Sequence, residues 1–297
     1  MLSIIILAAG KGTRMNSSLP KVLQPLAGKP LLEHVICSSN VFKPHEIFIV
    51  HGHSGELIQQ YFQSNTGLKW AQQKEQLGTG HAVMQAAKKI AAGSNALILY
   101  GDVPLVSTET IRLLIEGHQD NEISLLTAIL PDADGYGRII RDDGKITAII
   151  EDSDATDSEK RINEINTGIM YCNGELLNGW LNRLNNNNAK GEYYLTDIIG
   201  MAVQDGVKVS GTVAENWEEV MGINDKKELA TAERLLQKNL AEDLMEQGVS
   251  IMDPARLDIR GTLVCGKNVV IDVNVIFEGE VILGDNISIG PHNIIKN

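Results

Sequence analysis

Leu7-Ala8-Ala9-Gly10-Lys11-Gly12-Thr13-Arg14-Met15 continues without a break from the apolar run Ser3–Ala8. With no basic stretch ahead of it, the apolar start from Leu2 to Ala9 reads as a buried strand rather than a signal peptide. The glycines after it let the backbone turn tightly, so that successive N–H groups can face an anion. Lys11 and Arg14 add positive charge where a triphosphate would lie. A Walker A loop is excluded, because no Gly-Lys-Ser/Thr stands at the required distance; the dinucleotide fingerprint fails where Met15 replaces its third glycine. A bare Gly-x-Gly turn is a weak signal. The basic residues and the place directly after the first strand carry the anion-binding reading.

Outward from this loop, strand-like runs alternate with helical patterns. The strand candidates are Ser3–Ala8, Glu46–Val50, Ala96–Tyr100, Ile123–Ile129 and Gly168–Cys172; Leu31–Ser39, Gly78–Ile90 and Thr108–Glu116 read as helices between them. This rhythm predicts an α/β domain on a mostly parallel sheet, over residues 1–224. Arg138–Ile140 and Lys145–Ile150, joined through Asp-Asp-Gly, predict an inserted hairpin. Residues 225–248 then read as a rod-like linker helix, with Leu229, Ala232, Leu236, Leu240 and Leu244 at three- and four-residue spacing and Gly248 as its stop. Within residues 249–297 every sixth position is apolar (Ile259, Cys265, Ile271, Phe277, Leu283, Ile289, Ile295), and Val269, Val275, Val281 and Ile287 keep the same period. A six-residue period predicts about two coils of a parallel β-helix.

The chain has 297 residues, enough for one large domain and a smaller one, and 43% of them are hydrophobic. With 38 acidic against 26 basic residues the formal charge is −12, and no basic block opposes it. Nucleic acid is therefore not an expected partner, and no apolar run is long enough to span a membrane. An anionic substrate needs local neutralisation by a lysine, an arginine or a metal. Cys37, Cys172 and Cys265 stand far apart with no CxxC pair, which points to a reducing, cytoplasmic setting.

Other segments carry chemistry. In Leu19-Pro20-Lys21-Val22-Leu23, Lys21 can reach phosphates as a point charge or can be an ordinary surface lysine. The run Ala96–Tyr100 ends in Gly101-Asp102, and the carboxyl end of a central strand is where open α/β sheets bind ligands. One or two protein oxygens plus substrate phosphates satisfy Mg²⁺, so Asp102 is a candidate ligand; a turn-capping Asp is the alternative. In Gln72–His81, Gly78 and Gly80 suggest close approach of a flat ligand, and a glutamine amide can read a base edge. His81 reads as structural, and His51 with His53 lacks a third metal ligand. Gly135-Tyr136-Gly137-Arg138, Glu151 and Glu164-Ile165-Asn166-Thr167-Gly168 suit sugar recognition, each with a plain turn or surface reading beside it. Asn224 stands where a helix N-cap belongs.

Taken in order, LAAGKGTRM, LPKVL, EQLGTGHAV, LYGDVPL, GYGRI, EINTGI, GEYYLTDII and DPARLDIRGTL resemble the bifunctional N-acetylglucosamine-1-phosphate uridyltransferase / glucosamine-1-phosphate acetyltransferase family, from residue 3 to the end. The resemblance implies a Rossmann-like nucleotidyltransferase domain, then a linker helix and the first coils of a left-handed β-helix. It implies that Leu7, Ala8, Ala9 and Gly10 line the nucleotide loop, and that Arg14 and Lys21 hold phosphates. Gln73, Gly78 and Thr79 would face the uracil and ribose. Tyr100, Gly101 and Asp102 would sit at the nucleotide, Gly137, Glu151 and Asn166 at the amino sugar. Asp102 and Asn224 would ligate Mg²⁺.

The implied reaction transfers UMP from UTP to N-acetylglucosamine 1-phosphate, for cell-wall and lipopolysaccharide precursors. Full-length relatives form homotrimers through the β-helix and acetylate glucosamine 1-phosphate there. This chain ends after two coils, so acetyl transfer is not expected of it. The competing expectations are another sugar-1-phosphate nucleotidyltransferase and a non-catalytic nucleotide-binding assembly subunit.

Overall fold

The structure, a computed structural model, describes residues 1–52, 54–119 and 122–297. In chain order its elements begin with β1 (Leu2–Ala8), the short pair β2 (Pro25–Leu26) and β3 (Lys29–Pro30), α1 (Leu31–Asn40), β4 (Glu46–His51), α2 (Gly55–Tyr61), β5 (Leu68–Gln72) and α3 (Thr79–Ala87). There follow β6 (Asn95–Tyr100), α4 (Thr108–Glu116), β7 (Glu122–Ile129), β8 (Arg138–Asp142), β9 (Lys145–Ile150), β10 (Glu164–Asn173), α5 (Gly174–Leu181), α6 (Asp197–Gln204) and β11 (Lys208–Val213). The chain continues with α7 (Lys226–Glu246), β12 (Ser250–Ile251), β13 (Leu257–Cys265), β14 (Val270–Ile271), β15 (Val275–Leu283), β16 (Ser288–Ile289) and β17 (Ile294–Lys296). Two compact units result: Met1–Lys11 with His34–Gly222, and Gly12–Glu33 with Ile223–Asn297.

The first unit is built on a mixed sheet in the order β11-β7-β10-β6-β1-β4-β5, with the β8–β9 hairpin attached to β10. β1 lies between β6 and β4, parallel to both, so Leu7 is opposite Tyr100 on one side and Val50 on the other. β10 runs antiparallel to its neighbours β6 and β7, and the β8–β9 hairpin is antiparallel as well. Ile4, Ile5 and Ile6 have no exposed surface, which is why β1 reads as a continuous apolar run. The face bearing Ile5 and Leu7 packs with Val83 and Ala86 of α3, Leu177 and Trp180 of α5, and Ile198 and Ile199 of α6. Each buried valine, leucine or isoleucine among them contributes about 1.5–3 kcal/mol. Local signals set the helix starts: the Ser107 hydroxyl accepts from Thr110 N, and the Asn173 side chain accepts from Glu175 N and Leu176 N.

The expected strands appear within a residue or two of their predicted limits, except the last. β10 starts at Glu164 rather than Gly168, because the chain stays paired with β7 on both sides of an irregularity between Asn166 and Met170. The helix expected over Gly78–Ile90 is shorter, at Thr79–Ala87. Among the described residues no helix is long and apolar enough to cross a membrane.

In the second unit, α7 is not a bare connector. Ala241 and Leu244 are buried with Leu257, Ile259, Phe277 and Val281, so one face of the helix closes the core of the strand stack. That stack is made of two parallel ladders, β12-β14-β16 and β13-β15-β17. Ile259 is opposite Phe277 and Phe277 opposite Ile295, which makes one full repeat three of the six-residue periods read from the sequence. Asn268, Asn274, Asn286 and His292 occupy left-handed turns, and Asn268 Nδ2 donates to Asn286 Oδ1 one repeat on at 3.0 Å.

Candidate functional site

The carboxyl ends of β1 and β6 lie side by side in the first unit. Gly101 N donates to Leu7 O at 2.9 Å, which extends the pairing past both strands and sets Tyr100-Gly101-Asp102 beside Ala8-Ala9-Gly10. Val103 N turns back to Tyr100 O at 3.1 Å, so Asp102 sits in a tight turn, half-buried. Leu7, Ala8 and Ala9 are buried and Gly10 is exposed.

The bulge in β10 brings the sugar-side residues to the same end. Gly168 has φ +83°, and a Cβ there would lie 2.5 Å from the Tyr100 ring, so glycine is needed for the ring to rest against the bulge. Asn166 Oδ1 accepts from Gly168 N at 3.0 Å, and Asn166 N donates to Gly137 O at 2.8 Å. Glu151, just past β9, is half-buried and accepts the Thr196 hydroxyl at 2.9 Å. Burial first, then the charges of Glu151 and Asp102, push the Tyr100 hydroxyl well above its usual range, so it stays protonated beside them. Burial and then the charges of Glu151 and Asp154 likewise raise the Asp197 carboxyl.

This electronegative end of the sheet fits a hard divalent cation. Asp102 offers a carboxylate oxygen, and two acidic charges already act on one tyrosine. Among the described residues no group of three or more His, Cys, Asp or Glu forms a ready-made cage. Phosphate oxygens would therefore complete the shell, which is the way Mg²⁺ is usually held.

On the uracil side Gly78 is half-buried, Thr79 exposed and Gly80 buried, and both glycines are close-packed on the side where a Cβ would stand. A Cβ at Gly78 would be 2.6 Å from Tyr193 O, and one at Gly80 would be 2.5 Å from Leu184 Cδ1. The segment Glu192–Leu195 docks here: Tyr193 N donates to Leu77 O (2.7 Å), Gly80 N to Tyr193 O (2.8 Å) and Leu195 N to Thr79 Oγ1 (3.1 Å). Two motifs far apart in the chain, EQLGTGHAV and GEYYLTDII, thus form one structure. Gln73 is only 3% exposed, and its amide nitrogen donates to Gly78 O at 3.0 Å and lies 3.2 Å from His81 Nδ1. His81 takes part in this packing, in keeping with its structural reading. Sequence reasoning passed over Gln76, whose amide donates to Ala9 O of the glycine loop, and Thr196, which holds Glu151. Both stand inside motifs quoted above, but neither spacing nor polarity marked them.

Arg138 cannot serve a sugar from solvent. It has no exposed surface, pairs with Asp152 at 3.2 Å and donates to Tyr136 O. His51 is buried, with Nε2 2.9 Å from Gln59 Nε2; His53 lies outside the described residues.

In the second unit, Lys21 Nζ donates to Asn224 Oδ1 at 3.0 Å. Asn224 is not the N-cap of α7. Asp225 is, accepting from Lys227 N and Glu228 N, and its carboxyl is held low first by the Glu228 N–H and further by the charges of Lys227 and Arg14. Arg14, Lys21 and Asn224 therefore gather around the start of α7.

The profile of the MobA-like NTP transferase domain matches residues 4–139. Two solved structures share the fold: a putative glucose-1-phosphate thymidylyltransferase of Bacillus anthracis (TM-score 0.65, 19% identity, 79% of this chain and 95% of that one) and a nucleotidyl transferase of Methanothermobacter thermautotroptrophicus (TM-score 0.58, 19% identity, 80% and 99%). The chain has the Rossmann-like α/β fold of these nucleotidyltransferases. Along its whole length it is 52% identical to the Bifunctional protein GlmU of Nitrosospira multiformis, 49% to that of Aromatoleum aromaticum and 48% to that of an Azoarcus species. The chain spans 65%, 65% and 66% of the length of these three relatives.

Proposed function

We propose that the chain transfers a uridylyl group from UTP to N-acetylglucosamine 1-phosphate, releasing pyrophosphate and supplying UDP-N-acetylglucosamine for cell-wall precursors. The observation that carries this reading is the meeting of Asp102 and Tyr100 with Gly137, Glu151, Asn166 and Gly168, from three separate motifs and the end of β9, at one end of the sheet. A phosphate-bearing nucleotide and a sugar with amide and hydroxyl groups suit these partners.

An oxygen of the acceptor phosphate forms the new bond to the α-phosphorus of UTP as the bond to the β-phosphate oxygen breaks, and pyrophosphate departs in line. A phosphate dianion is already nucleophilic, so no general base is required. Positioning and charge neutralisation do the catalytic work. Leu7, Ala8, Ala9 and Gly10 form the loop beside the nucleotide, with Gln73, Gly78 and Thr79 toward its base and ribose. Gly137, Glu151 and Asn166 orient the amino sugar, while Arg14 and Lys21 offset phosphate charge. Asp102 and Asn224 would hold Mg²⁺, which when bound neutralises phosphate charge. The roles of Arg14, Lys21, Asn224, Gln73, Gly78 and Thr79 rest on the motif match alone. By the same match, the ladders of the second unit are read as the first coils of a left-handed β-helix.

The test is pyrophosphate release from UTP and N-acetylglucosamine 1-phosphate, with magnesium and then with EDTA. Release that needs both substrates and the metal is expected. A folded sample silent under every condition would defeat the reading.

A further inference from the structure

We infer that Gln76 is a positioning residue for the nucleotide loop, acting through the Ala9 carbonyl, an inference that rests on the nucleotidyl-transfer reading of that loop. Gln76 is half-buried between β5 and α3, and its amide donates to Ala9 O. The Ala9 carbonyl and the Gly10 N–H belong to one planar, trans peptide unit and point in opposite directions. Holding the carbonyl from the protein side therefore aims the Gly10 N–H away from it. Gly10 is exposed, with open space where a Cβ would stand, and glycine has the freedom to let this peptide rotate if nothing holds it.

The strut is itself built in. Gln73 N donates to His51 O at 2.8 Å, which ties the segment after β5 to the end of β4. On the other side, Leu77 O accepts from Tyr193 N at 2.7 Å, so the residue next to Gln76 is pinned by the docked Glu192–Leu195 segment. The approach also needs Gly52. A Cβ at that buried position would lie 2.7 Å from Gln76 Nε2 and 2.8 Å from Ala9 O, inside the hydrogen bond itself. Gly52 and Gln76, 24 positions apart in sequence, converge on the same carbonyl.

Two substitutions can therefore break one interaction by different routes. Gln76→Ala removes the donor, and Gly52→Ala wedges the pair apart. Losing one hydrogen bond corresponds to about fivefold in affinity. Each variant is expected to raise the KM for UTP about fivefold, with kcat and the KM for the sugar phosphate within about twofold of wild type. Gln76→Glu, which sets a carboxylate against the carbonyl, should raise it further. The double variant Gly52→Ala/Gln76→Ala should be no worse than the poorer single one, since both act on the same bond.

Amide hydrogen exchange of the peptide covering residues 8–13 gives a readout that needs no substrate, and it should speed up several-fold in every variant. Unchanged loop exchange in folded variants overturns the inference. Fully additive losses, or equal rises in both KM values, would also overturn it. A wild-type chain that does not use UTP would defeat the functional reading, while the exchange data would still decide the positioning role.

Discussion

Asp102 stands at the end of a buried strand, in a turn that leaves its carboxylate half-buried beside a tyrosine kept protonated by its surroundings. Asp102→Ala takes away the oxygen proposed for the metal. Turnover should fall on the order of 10²–10³-fold, the cost of deleting one preorganised electrostatic group. Stopped-time pyrophosphate assays would show this, and near-normal rates would remove Asp102 from the metal site. Asp102 was legible in the sequence because a carboxylate directly after an apolar run is a local pattern. Thr196 was not, since its importance comes from Glu151, 45 residues away.

At the scale of elements, the β8–β9 hairpin is tied to β10 by a two-pronged pair, Arg141 Nε and Nη2 with the two oxygens of Glu164 at 2.8 and 2.7 Å. The Arg141 hydrogen bonds hold the Glu164 carboxyl below its ordinary value of 4.5. A depressed carboxylate stabilises the fold above that ordinary value and loses its contribution as pH falls through the lowered one. Arg141→Ala should therefore cost about 0.5–1 kcal/mol at pH 7, with the gap to wild type closing toward pH 3. Urea melts at pH 7, 5 and 3 would test this, and a gap independent of pH would refute it.

In the second unit, buried Gln237 of α7 acts as a strand partner: it accepts from Ile259 N at 2.7 Å and donates to Ile259 O at 2.8 Å. Gln237→Leu would strand both backbone groups of Ile259 and should cost on the order of 2–4 kcal/mol. Gln237→Glu keeps the acceptor and should fall between, as read from denaturant midpoints. Equal stability of all three chains would show that these bonds are replaced by water. The six-residue period announced the ladders, but the helix read as a connector because its pattern does not reveal what its apolar face covers.

For the molecule as a whole, ligand binding and stability are linked. At UTP concentrations about 100 times its dissociation constant, with magnesium, the native state should gain about 2.7 kcal/mol. That predicts a rise in Tm of roughly 4 °C for a chain of this size. ATP at the same concentration should give a much smaller shift, and equal shifts from both nucleotides would contradict uridine recognition.

The sequence by itself determined the α/β rhythm, the strand ending in Asp102, the six-residue period and the glycine loop. Each of these is written in neighbouring residues, where burial alternates with chain geometry. Only the tertiary structure decided that Gly12–Glu33 packs with the second unit, that Tyr193 closes over Gly78 and Gly80, and that Gln76 reaches Ala9. Those outcomes depend on which side chains meet across tens to hundreds of residues, and side-chain packing at such separations leaves no local period to read.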